Sequence, residues 1–334
     1  MTRRQVMRAA LGLGALALVG SGTASTALHW QRRDLVGFGT TLSLQAAHAD
    51  EQVLSNALDA AVASLQRIEA QMSLFRDDSA LSRLNRDGRL DAPPRELREL
   101  LAIALGIARH SGGAFDPTVQ PLWRAFADAR ARGRLPTEDE VAAARALVDW
   151  RGLALGHDAV RLARPGMGVT LNGIAQGYAA DRVRGVLLAH GVRHALVDAG
   201  EYAMAGHDPA GARWTLGIAD PHAQGRLVAR LFADGRCVAT SGDDQTAFSA
   251  DRRHHHIFDP HTGYSPPDVA GVTVAAPTGA LADALTKVFF IAGPERALDV
   301  ARRWNVDALW IAKSGRWGAT PGLALAPGKD GVRS

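Results

Sequence analysis

The chain has 334 residues, 47% hydrophobic and 22% charged, the mix of a globular protein of one large or two ordinary domains rather than of a disordered or collagen-like chain. Its single cysteine, Cys237, excludes an internal disulfide and any cysteine-built zinc or iron–sulfur site. The formal charge is +4, and Lys287, Lys313 and Lys329 are the only lysines among 38 Lys and Arg residues.

In chain order, Thr2-Arg3-Arg4-Gln5-Val6-Met7-Arg8 precedes the apolar run Ala9 to Val19 and a stretch of small residues up to Ala27. At about eleven residues the run is short for a bilayer span. With its charged start and small-residue end it reads as an export signal of the twin-arginine type over 1–27, with cleavage after Ala24 or Ala27. An uncleaved anchor and a buried N-terminal helix are the other readings. Removing 1–27 takes three arginines and no acid, so the charge of 28–334 falls to +1. No basic stripe with interleaved aromatics is left, and a nucleic-acid partner is excluded.

Val53, Leu54, Ala57, Leu58, Ala61, Val62, Leu65, Ile68 and Met72 recur at helical spacing and predict a helix over about 50–73. A second is expected from Glu96 to His110, ending at Gly112-Gly113. Thr137-Glu138-Asp139-Glu140 is a capping box opening a helix to about Val148. Further helices are expected over 174–190, 280–291 and 294–303. Strand-like runs lie at Ala195–Val197, Trp214–Ala219, Leu227–Phe232, Val272–Ala275 and Ala308–Ala312. The chain reads as one α+β domain, helix-rich early and strand-rich late.

Several segments are polar and glycine-rich yet sit beside regular elements. Ser111 to Thr118 leaves one helix through two glycines and is expected to start another at Pro117, capped by Asp116. Thr170-Leu171-Asn172-Gly173-Ile174-Ala175-Gln176-Gly177 runs into a helix N-terminus, where backbone amides can meet a phosphate. Val197-Asp198-Ala199-Gly200-Glu201 follows a strand. Thr240-Ser241-Gly242-Asp243-Asp244 precedes His254-His255-His256 and Ile257-Phe258-Asp259-Pro260-His261-Thr262-Gly263. Alternation would put His254 and His256 on one side. One histidine could act as a general base, His254, His256 and His261 could hold zinc, or all could be solvated. Asp283 and Lys287 are four apart on a helix, either a surface pair contributing about 0.3–0.5 kcal/mol or a cation seat and a phosphate-binding lysine.

In this order the segments resemble the ApbE family of FAD:protein FMN transferases, exported flavin transferases of the bacterial envelope. The resemblance covers about residues 35–325. It is carried by Phe38-Gly39-Thr40, Met72-Ser73-Leu74-Phe75 with Ser79 to Asn85, Gly113 to Thr118, Gly173 to Tyr178, Asp198 to Glu201, Thr240-Ser241-Gly242, His256 to Gly263 and Ala282-Asp283-Ala284. It implies a single T-fold-like α+β domain with mixed or antiparallel sheets flanked by helices. It also implies FAD as flavin donor, a magnesium ion beside the pyrophosphate, and transfer of FMN to a Ser or Thr hydroxyl of an acceptor protein with release of AMP. By position, Phe38, Phe75, Ala114, Phe115, Asp116, Thr170, Gln176 and Ile257 are expected to contact the flavin dinucleotide, and His256 to be the base. Gly173, Asp283 and Thr286 are expected to serve the metal.

Three positions depart from the common pattern. Thr170 stands where an Asp is frequent, Gln176 where a Lys or Glu is usual, and Lys287 where a metal-binding Thr is usual. Lys287 is therefore assigned a charge-stabilising role. Similar variants occur in the NosX-like branch, associated with nitrous oxide respiration. The expected acceptor is a membrane-associated electron-transfer protein, and the expected compartment is the periplasm. A flavin carrier without transfer activity and an FAD pyrophosphatase yielding FMN and AMP are the competing functions.

Overall fold

A computed structural model describes residues 27–327, so the export signal expected over 1–27 lies, but for Ala27, outside the described residues. The chain opens with the hairpin β1 (His29–Gly37) and β2 (Thr40–His48), followed by α1 (Glu51–Met72), α2 (Ala80–Asp87), β3 (Arg89–Asp91), α3 (Arg95–His110), α4 (Gln120–Ala131) and α5 (Glu138–Arg145). Next come β4 (Leu153–Leu155), β5 (Ala159–Leu162), α6 (Ala175–Ala189), β6 (His194–Asp198), β7 (Tyr202–Ala205), β8 (Thr215–Ala219) and β9 (Leu227–Phe232). The last stretch is β10 (Cys237–Gly242), β11 (Val269–Ala276), α7 (Gly279–Ala292), α8 (Ala297–Trp304), β12 (Asp307–Ala312) and β13 (Trp317–Ala319).

Eight strands form one sheet in the order β1-β2-β6-β7-β10-β11-β12-β13, and every neighbouring pair is antiparallel. The period of two sorts its side chains between two cores. Ala195, Val197, Ala203, Cys237, Ala239, Val272, Val274 and Ala308 join α1, α6 and α7 in the larger one. Met204, Val238, Ala275, Leu309 and Ile311 turn the other way onto Trp214, Leu216, Ile218 and Leu231 of the β8–β9 hairpin. Strand β11 is covered on both faces and buried along its whole length, which explains its unbroken small and β-branched sequence. The fold is thus a single α+β domain. No helix among the described residues is long and apolar enough to cross a membrane.

The expected helices over 50–73, 96–110, 174–190 and 280–291 are present to within a residue or two, and the capping box at Thr137 and Glu140 closes as its spacing requires. The first half is helix-rich as expected, with β1 and β2, which were not foreseen, entering the main sheet. Two readings are corrected. The chain does not start a helix at Pro117: residues 117–118 form a turn, and α4 begins at Gln120 with Pro121 in its first turn. The first turn of the expected 294–303 helix is a separate 3-10 turn, Pro294–Arg296.

Candidate active site

The site is organised by the crossing of α6 and α7. A Cβ on Gly177 would collide with the carbonyl of Gly279, and one on Gly279 with the carbonyl of Gly177, so only glycine at both positions allows this approach. Asp181 of α6 reinforces the crossing by accepting the backbone N–H groups of Gly279 at 2.7 Å and Ala280 at 3.1 Å, covering the exposed donors at the start of α7. Asp283, one turn further on and 1% exposed, accepts Gly177 N–H on Oδ2 at 3.2 Å. Its Oδ1 accepts the Lys287 ammonium at 2.6 Å, and the same ammonium donates to the Asp283 carbonyl at 3.1 Å.

This is not the surface pair the spacing alone allowed. With Asp283 at 1% and Lys287 at 18% side-chain exposure, loss of one partner leaves a charge poorly hydrated, a cost of about 3–5 kcal/mol when a pair is fully buried. The Lys287 chain runs beneath Gly173, where a Cβ would meet its Cε at 3.0 Å. Thr286 is set apart from the cavity. It is wholly buried, and its hydroxyl donates to the Asp283 carbonyl at 2.7 Å and bonds Ser241 Oγ at 2.8 Å.

Loops complete the site. Asp116, 6% exposed, accepts from Thr118 N–H at 2.7 Å, Thr118 Oγ1 at 2.6 Å and Trp150 N–H at 3.0 Å. It fastens two loops instead of capping a helix. Burial pushes its carboxyl above the usual range, and these hydrogen bonds oppose the shift. Thr170 N–H donates to the Pro117 carbonyl at 2.8 Å, tying the glycine segment to that turn. Gln176 lies so close over Gly200 that a Cβ there would strike its amide, and φ of +94° favours glycine there in any case. Glu201, 5% exposed, accepts Thr240 N–H at 2.9 Å.

The three histidines part company. His255 is fully buried and bonded through both ring nitrogens, Nδ1 accepting Ile257 N–H at 3.3 Å and Nε2 facing the Pro266 carbonyl at 3.4 Å. Burial depresses its pKa to about 3, with the neighbouring His256 and Lys313 pushing the same way. His254 packs against the rings of Phe126, at 5.7 Å, and Tyr264, at 6.2 Å. His256 lines the cavity, and its backbone is pinned by its N–H donating to the Thr246 carbonyl at 3.0 Å. His261 is engaged by Asp259 at 2.9 Å and the Gly112 carbonyl at 3.2 Å. No group of three or more His, Cys, Asp or Glu side chains among the described residues is arranged to hold a metal ion.

One open cavity of about 130 Å³ collects Ala114, Phe115, Asp116, Thr170, Gly173 and Gln176 with His256, Ile257, Asp283 and Lys287. Phe38 and Phe75 are not among its lining residues. They flank Gly39 at the β1–β2 turn, where Phe38 has φ of +51°, its N–H donates to Glu69 Oε1 at 2.9 Å, and the Phe75 ring lies over Gly39. Trp123, 40% exposed, joins the lining with Gln120 and Gln245. Sequence reading missed these three. An aromatic on the polar side of a helix that begins at Gln120 was the available signal for Trp123.

A family model described as the ApbE family matches residues 38–310. A Treponema pallidum protein named FAD:protein FMN transferase is 36% identical over 293 residues, covering 80% of each chain. A Vibrio cholerae protein of the same name is 31% identical, covering 83% of this chain and 85% of its own. Among solved structures, the apo form of the Pseudomonas stutzeri flavinyl transferase ApbE superposes with a TM-score of 0.75 at 29% identity, covering 88% of this chain and 94% of that one. The Thermotoga maritima ApbE protein gives 0.77 at 25% identity, over 88% and 97%.

Proposed function

This chain belongs to the ApbE family and is an FAD:protein FMN transferase, and we propose that it moves FMN from FAD onto a Ser or Thr hydroxyl of a second protein of the cell envelope. One observation carries the reading: a single cavity offers the apolar surfaces of Phe115, Trp123, Ile257 and Phe258, suited to a flavin ring, together with His256 and the Lys287 ammonium. Phosphoryl transfer asks for positioning and charge stabilisation more than for covalent help from the protein.

In the proposed step the acceptor oxygen attacks the phosphorus on the FMN side of the pyrophosphate. The bond from that phosphorus to the bridging oxygen breaks, and AMP leaves with the electron pair. The hydroxyl proton passes to His256, and the product is a phosphodiester between FMN and the acceptor. Because His255 stays neutral down to pH about 3, it adds no charge beside His256 at neutral pH.

The resemblance implies magnesium, but the donors at Asp283 do not fit it. Magnesium requires a near-octahedral shell of oxygen ligands, whereas Asp283 Oδ1 is held by Lys287, Oδ2 by Gly177 N–H, and the Thr286 hydroxyl by Ser241 and the Asp283 carbonyl. No step is therefore assigned to a metal. The twin-arginine pattern supports a periplasmic location, and a membrane-associated electron-transfer protein is the acceptor we infer for that compartment.

The test is to incubate the whole chain with FAD and an acceptor carrying a Ser or Thr flavinylation motif and to record intact masses. An FMN-sized gain on the acceptor is expected. In His256→Ala the rate should drop by roughly 10²–10⁴-fold, the usual contribution of a general base, with FAD still bound. AMP released without labelled acceptor would identify a pyrophosphatase, and FAD bound but never cleaved would identify a carrier.

A further inference from the structure

We propose that the Lys287 ammonium is itself the cation that faces the FAD pyrophosphate, so that this enzyme binds FAD without a divalent metal. The inference rests on the FAD:protein FMN transferase reading and deepens it by assigning the phosphate-binding charge to a residue of the chain.

Three observations converge. First, the ammonium is immobilised at the cation seat: it lies 2.6 Å from Asp283 Oδ1 and 3.1 Å from the carbonyl of the same residue, with its methylene chain against Gly173. An ammonium has three donors. Two are spent on Asp283, and the third is left for a ligand oxygen in the cavity that Lys287 lines. Second, among the described residues no arginine and no other lysine lines that cavity, whereas Asp116, Glu201 and Asp283 do. A pyrophosphate entering among three carboxyl groups requires a positive partner, and Lys287 is the lysine or arginine that the described residues place on the wall. Third, the side-chain oxygens of Asp283 and Thr286 already bond Lys287, Gly177 N–H and Ser241. Asp283 thereby becomes a positioning residue that holds the lysine.

The experiment is a titration of the whole chain with FAD, followed by flavin fluorescence, in excess EDTA and again in millimolar magnesium chloride. The two curves should superimpose to within about twofold, and Lys287→Thr, shown folded by circular dichroism, should bind FAD roughly tenfold or more weakly in EDTA, a difference of about 1.4 kcal/mol. The proposal is overturned if wild-type affinity collapses in EDTA and returns with magnesium, or if folded Lys287→Thr binds FAD in EDTA as tightly as the wild type. The wild-type arm decides the matter even if the substituted chain does not fold. Metal-independent FAD binding without labelling of any acceptor would sink the transferase reading and leave the cation assignment standing. Acceptor labelling that needs magnesium for FAD to bind would do the reverse.

Discussion

His255 and His256 are neighbours in sequence and opposite in use. His255 has both ring nitrogens engaged in the core, while His256 reaches the cavity. The buried ring makes a prediction about acid stability. An unfolded histidine takes up a proton near pH 6.5, but the folded His255 does so only near pH 3. Between those values the unfolded chain holds more protons, so stability is intact above about pH 6.5 and falls as the pH is lowered, by up to ~1.4 kcal/mol per unit. Urea unfolding at pH 6.5 and pH 5 should show a smaller loss for His255→Asn than for the wild type; equal losses would rule this account out. The triplet itself was visible in the sequence. The residues alone did not say which ring reaches the cavity, because alternation put His254 and His256 on one side and this segment forms only an isolated bridge, Ala247 to His255; the resemblance pointed to His256.

At the scale of elements, the α6–α7 crossing brings Gly173 and Asp283 together. A methyl group at Gly177 has to push α7 away, so Gly177→Ala should lower stability by about 1–3 kcal/mol, as overpacking does, and weaken FAD binding by moving Asp283. Gly185 lies in the same helix with open space around it, so Gly185→Ala should stabilise by roughly 0.5–1 kcal/mol through helix propensity alone. Chemical denaturation of both variants checks the pair, and destabilisation of similar size in each would refute the role given to the crossing. The long amphipathic helices were legible because they alternate a core face with a wet one. The β1–β2 hairpin was not. β1 is an edge strand of mixed exposure, with the sequence HWQRRDLVG, and its turn uses Phe38 and Gly39 at positive φ, not the Asn-Gly or Asp-Gly pair that advertises a hairpin.

Over the whole molecule, one sheet separates two cores, and no residue of β8 or β9 lines the cavity. Trp214, 6% exposed, anchors the hairpin side and donates its indole N–H to the Ala205 carbonyl at 3.0 Å. Trp214→Ala is expected to cost about 3–5 kcal/mol of stability while FAD affinity changes by less than about twofold. A large loss of affinity in the still-folded protein would show that the two sides are coupled. The sequence by itself determined the α+β class, most helices and the family, because those properties reside in local periodicity and in short ordered motifs; Ala114 to Asp116, Thr170, Gly173, Gln176, His256, Ile257, Asp283 and Lys287, expected in one site, line one cavity. Tertiary structure alone decided that Asp283 and Lys287 form a buried pair, that Asp116 fastens loops, and that Thr286 bonds Ser241. Hydrogen-bond partners and burial depend on segments more than 100 residues apart, as Gly177 and Asp283 are, and local sequence carries no record of that distance.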